Sequence, residues 1–173
     1  MCWVAGELCN GMHVHPMHSI PYIQNRLLPN VELGAKKSGR TRADIDLIIP
    51  VFAIPGDSPE ERENMTRRAR TQIAFYGSTP NYAFQFDDLG FEGTTENLGR
   101  LMKEGNIQGM ADAISYMLSH FAVTAKWNDI ADKLLARYRG VASRVVTYLA
   151  AEDIQKHPDH VENWGAIAKA VRG

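Results

Sequence analysis

The segment Asp46-Leu47-Ile48-Ile49-Pro50-Val51-Phe52-Ala53-Ile54 constrains the fold more than any other. It is apolar and β-branched almost throughout, without the alternation of a strand that has one wet face. That pattern predicts a strand buried on both sides, as in parallel sheets covered by helices. The same stretch carries an aspartate and two prolines out to Pro55 and is far too short to span a bilayer. Pro50 predicts a bulge or an irregular end, because a proline cannot donate to a ladder.

Helix signals surround this strand. Ser19 followed by Ile20-Pro21 reads as an N-cap with proline in the first turn, opening an amphipathic helix from about Ile20 to Lys37. Pro29 should kink or split it. Downstream, Ser58 and Glu61 form a capping box with Pro59 in the first turn, and the helix they open ends near Phe75-Tyr76-Gly77. Its Arg62, Arg67, Arg68 and Arg70 read as a solvated face. A further helix from about Asn128 to Tyr138 stops at Gly140 and leads into a strand over Ser143–Leu149. Strands alternating with helices predict an α/β fold with a parallel sheet. Residues 1–150 form the main unit, and 151–173 a helical tail interrupted at His157-Pro158. The stretch from Ile54 to Ser143 is several times longer than one crossover needs, so it should build a pocket or a lid.

A net charge of −1 over 173 residues offers nothing to attract nucleic acid or a membrane surface. Cys2 and Cys9 fall on one helical face about 10 Å apart in rise, too far for a mutual disulfide. They are expected to be reduced, buried thiols of a cytoplasmic protein.

The chemistry concentrates in Gly11-Met12-His13-Val14-His15-Pro16-Met17-His18-Ser19. As a strand it turns Met12 and Val14 to one side and His13 and His15 to the other. Two imidazoles then project from the C-terminal end of a strand that feeds a helix, where α/β proteins bind ligands. His13 and His15 are the candidate catalytic residues. His18, just before the N-cap, could reach an anion at that helix start. A His-x-His pair also suits a metal-dependent hydrolase, but zinc needs a third ligand, and no Asp, Glu or His is placed to provide one, so no metal is expected. Phe75, Tyr76 and Tyr82 cluster around the Gly77–Pro80 turn, with Phe75 assigned to the core. Trp3, Trp127 and Trp164 read as structural.

Several segments together resemble the luciferase-like monooxygenase superfamily, in its branch of oxidoreductases that use the deazaflavin coenzyme F-420. They are Ala5-Gly6-Glu7 with Asn10-Gly11, the histidine run, Ile73 to Tyr82, Ser119 to Val123, and Ala136-Arg137-Tyr138-Arg139-Gly140 through Arg144 to Tyr148. The likeness runs to about Ala150 and departs at Asn10 and Ser115, where relatives often carry Asp. It implies the C-terminal part of a (β/α)8 TIM barrel: the end of helix five, strands six to eight, and a helical insertion after strand seven. Strands one to five would be missing, as if the chain began inside a domain.

The resemblance further implies hydride transfer between coenzyme F-420, or alternatively FMN, and a small organic substrate. His15, Pro16, His18 and Ser19 would contact the cofactor; Phe52, Tyr76 and Tyr82 would line the substrate pocket. With half a barrel's interior uncovered at Ile48, Phe52 and Val146, the chain should form a homo-oligomer or need a complementing N-terminal half. A non-catalytic barrel half is the further alternative.

Overall fold

Four parallel strands form the sheet in the computed structural model of this chain, which describes residues 1–172. They are β1 (Gly11–His13), β2 (Asp46–Pro55), β3 (Ala122–Ala125) and β4 (Arg144–Thr147). Ile48 is registered with His13 on one edge and with Arg144 on the other, so β1 and β4 flank the first half of β2. The second half, Phe52–Pro55, pairs with β3. β2 passes through Pro50 without the expected bulge. Pro50 follows the last residue paired with β1 and precedes the first paired with β3, and toward β4 it is the carbonyls of Leu47 and Val51 that accept. A missing N–H is tolerated there.

Upstream, α1 (Cys2–Leu8) packs on α3 (Leu28–Lys37) through two glycines. A Cβ on Gly6 would strike the carbonyl of Val31, and one on Gly34 the carbonyl of Trp3, so the two backbones touch. Ser19 caps α2 (Ile20–Tyr22), its hydroxyl accepting from the Tyr22 amide at 3.2 Å. A π-helical turn at Ile23–Leu27 joins α2 to α3 and absorbs Pro29 without breaking the helix. The Arg26 carbonyl is taken up by the Asn30 side chain at 2.7 Å.

The Ser58 cap of α4 (Pro59–Gly77) also forms, accepting from Glu61 N–H at 3.2 Å while Glu61 reaches back to the Asp57 amide at 2.7 Å. The arginines of α4 are more engaged than a solvated face implies: Arg68 pairs with Glu152 at 2.6 Å and Arg62 bonds the Gly56 carbonyl.

The long insertion consists of α5 (Phe84–Asp87), α6 (Thr94–Lys103), α7 (Ile107–Ile114) and α8 (Leu118–Phe121). α6 and α7 lie against α4, and Phe86, Leu98 and Phe121 are fully buried between them. Each such side chain contributes about 1.5–3 kcal/mol of transfer free energy. After β3 come α9 (Ile130–Tyr138), β4, α10 (Ala150–Lys156) and α11 (Val161–Arg172). Trp164 and Ile167 of α11 belong to the same core as β2, so the tail packs as part of it.

One face of the sheet is covered: Leu47, Ile49 and Val51 are fully buried. The other is open. His13 is exposed, Ile48 half-buried and Val146 44 % exposed. Phe52 does not share that exposure; it is fully buried beneath Tyr148, with ring centroids 5.3 Å apart. The described sheet is an open parallel one and does not close into a barrel. No helix among the described residues is long and apolar enough to cross a membrane. Both cysteines are free; Cys9 is exposed and Cys2 half-buried, against the burial expected of them.

Candidate functional site

β1 ends at His13, but its direction continues for one more residue, since the Val14 amide still bonds the Ile48 carbonyl at 2.9 Å. Val14 turns into the core while His13 stays exposed, its side chain without a hydrogen bond among the described residues. The chain then bends at Pro16 and Met17 and delivers His15 to the C-terminal end of α4. There its ring meets Tyr76 edge-on at 4.5 Å and Tyr82 at 5.0 Å, and the two tyrosines lie 6.1 Å apart. His15, Tyr76 and Tyr82, three of the expected site residues, therefore form one cluster.

The hydrogen bonds fix which His15 nitrogen carries the proton. The Met17 amide can only donate, so the Nδ1 it reaches at 3.2 Å accepts. The neutral ring then carries its hydrogen on Nε2. Burial lowers the pKa of His15 from 6.5, which keeps the ring neutral at pH 7. The half-buried imidazole thus offers one donor, Nε2–H, between two phenol rings.

His18 behaves differently from its expected role at an anion site. It is fully buried, and both ring nitrogens are engaged. Nδ1–H donates to the His15 carbonyl at 2.9 Å, leaving Nε2 to accept from the Tyr138 hydroxyl at 3.0 Å. Burial, first among the causes, drives its pKa to about 4, and the same cause pushes Tyr138 up to about 12. Ser19 is also buried, its hydroxyl occupied by the helix cap. His18 and Ser19 hold the backbone under His15 and present no free group to a phosphate. Pro16 is half-buried in the bend between them and His15.

Phe52, expected in a pocket, is sealed under Tyr148. Tyr148 is itself 38 % exposed and takes a hydrogen bond from Gln72 at 3.0 Å. It is the open-face aromatic that periodicity alone did not single out, since its place depends on the parallel register of β4. Phe75, expected in the core, is 59 % exposed. A cavity of about 820 Å³ lies elsewhere, between α9, β4 and α11, lined by Leu134, Val145, Trp164 and Ile167 with Arg139 and Arg144. Tyr138 alone joins it to the histidine segment.

A metal centre on His13 and His15 finds no support in the donor geometry. Among the described residues, three metal-ligating side chains converge at His157, Asp159 and His160, and neither His13 nor His15 belongs to that group.

A flavin-type cofactor would meet these residues in two parts. A planar ring system with carbonyl oxygens matches an Nε2–H flanked by tyrosines, whereas the phosphate tail of such a cofactor finds no partner at His18 or Ser19. The fit is to the ring.

Comparison with known proteins bears on the family and the fold. The sequence profile of luciferase-like monooxygenases matches residues 1–144. Uncharacterized proteins of Mycobacterium tuberculosis and Mycobacterium bovis are 34% identical over 152 residues, covering 87% of this chain and 45% of theirs. The chain thus spans less than half the length of these relatives. Its fold is similar to that of the coenzyme F-420-dependent tetrahydromethanopterin reductase from Methanopyrus kandleri, with a TM-score of 0.65 at 20% identity. That likeness covers 84% of this chain and 41% of the reductase.

Proposed function

The chain belongs to the luciferase-like monooxygenase family, and on that premise we propose that His15, Tyr76 and Tyr82 form one wall of a flavin-type cofactor site in an oxidoreductase. The reaction is hydride transfer between that cofactor and a small organic substrate. Coenzyme F-420, named for the Methanopyrus kandleri reductase, is the first choice of cofactor and FMN the alternative.

The observation that carries this reading is the His15 ring, its Nδ1 bonded by the Met17 amide and the ring packed with two tyrosines. The Nε2–H that this leaves can hydrogen-bond a ring carbonyl, or pass a proton to an atom that gains negative charge as the hydride moves. Tyr76 and Tyr82 pack beside the planar ring and keep water from it. His18 fixes the position of His15 through the His15 carbonyl. When bound, a flavin or deazaflavin supplies the hydride chemistry, and the protein's part is to orient and desolvate it.

Contacts to the phosphate tail are then left to a partner: a complementing N-terminal half or a second copy across the open face of β2 and β4. Fluorescence titration with F-420 and with FMN tests the reading. Saturable binding by the chain that weakens about tenfold on His15→Ala, a loss of about 1.4 kcal/mol, is the expected result. Equal binding by the variant overturns it.

A further inference from the structure

We propose that His157, Asp159 and His160 form a binding site for a divalent transition-metal ion of the zinc class, remote from the His15 cluster and independent of its function. The ligating atoms of the three side chains lie within 4.8 Å of one another. Asp159 and His160 sit on the 3-10 turn Pro158–His160 between α10 and α11, and His157 immediately precedes it, where proline restricts the backbone.

His160 is oriented as metal-bound histidines are. Its Nδ1 is 2.9 Å from Asp153 Oδ2, which also accepts the Trp164 indole N–H at 2.8 Å. Asp153 is buried, only 4 % exposed. A carboxylate accepts, so Nδ1 carries a hydrogen and Nε2 is the nitrogen left to a metal ion. A carboxylate on the far nitrogen fixes the ring and raises its basicity toward a cation.

Among the described residues Nε2 has no hydrogen-bond partner of its own. Glu61 Oε1 faces it at 3.8 Å, too far for a hydrogen bond, and that oxygen already accepts from the Trp127 indole at 2.5 Å. Nε2 thus faces a carboxylate oxygen without bonding it, with room between the two for a cation. His157 stacks on His160 with centroids 4.9 Å apart. It is exposed, so a rotation about its own side-chain bonds aims a ring nitrogen at the ion. Asp159, also exposed, adds a carboxylate.

Two imidazoles and a carboxylate make three ligands of the kind zinc takes, with water completing a tetrahedron. Imidazole ligands select against magnesium and calcium. The ion would tie α10 to α11 at the turn, and α11 carries Trp164 against Trp127, with centroids 5.4 Å apart. Its effect is to hold the C-terminal helices on the sheet.

The test is zinc titration of the untagged chain by calorimetry, with thermal melting in parallel. One equivalent should bind, and melting should rise by about 5 °C at a hundredfold excess over Kd. His157→Gln and Asp159→Asn, both at exposed positions, should leave metal-free melting unchanged, weaken uptake at least tenfold and abolish the shift. His15→Ala should bind zinc like the parent. Absence of stoichiometric uptake, unchanged uptake in His157→Gln, or loss of uptake in His15→Ala would each overturn the proposal.

Discussion

The Tyr138 hydroxyl donates to Nε2 of His18 at 3.0 Å, joining the last turn of α9 to the bend after β1 across 120 residues of sequence. Because His18 in turn holds the His15 carbonyl, this bond connects the C-terminal helices to the candidate site. Tyr138→Phe leaves a buried acceptor without a partner and should cost about 1–3 kcal/mol. Urea unfolding measures it. A double variant with His18→Leu should cost less than the sum of the two single changes.

The same histidine sets a pH dependence. Burial, reinforced by the charge of Arg137, lowers its pKa from 6.5 to about 4 in the folded protein. The unfolded chain therefore takes up a proton below pH 6.5 that the folded one refuses until about pH 4. The His18 contribution to stability is complete above pH 6.5 and is lost as pH falls toward 4. The loss is about 3 kcal/mol. Melting followed between pH 7 and 4 should show it, and His18→Leu should flatten that part of the curve.

Gly34→Ala tests the contact between α1 and α3. The added methyl meets the Trp3 backbone carbonyl, which cannot rotate away. Overpacking of this kind costs about 1–3 kcal/mol or more, although alanine is the better helix former. Net destabilisation in thermal melts is the expected outcome.

Phe75 and Tyr76 are neighbours with opposite surroundings. Phe75 is 59 % exposed, so Phe75→Ala should change stability by no more than about 0.5 kcal/mol. Tyr76 packs on both His15 and Tyr82, so Tyr76→Ala should lose about 0.5–1.5 kcal/mol of aromatic contact. It should also weaken cofactor binding, which Phe75→Ala should leave intact.

Local signals explain most of what the sequence revealed. The caps at Ser19 and Ser58, the buried strand through Val51 and the stop at Gly140 each depend on residues a few positions apart, and all appear in the fold. β3 escaped notice because Ala122–Ala125 is four residues long and is a strand only by pairing with β2. His18 read as available to an anion because its partner, Tyr138, is remote in sequence. Phe52 was expected on the uncovered interior of half a barrel, but Tyr148, just past β4, covers it. Phe75 shows the converse: an aromatic near a helix end suggests core, and tertiary packing left this one in solvent. At the site, the histidine run was legible as chemistry, while its engaged nitrogens became visible only from the hydrogen bonds.

The most direct test of the central claim is long-range proton–nitrogen NMR of the His15 ring at pH 7, with and without F-420 or FMN. A neutral ring with hydrogen on Nε2 and a bare Nδ1 is expected, with a shift of the Nε2–H resonance on cofactor addition. An imidazolium, a hydrogen on Nδ1, or an Nε2–H resonance indifferent to both cofactors would contradict it.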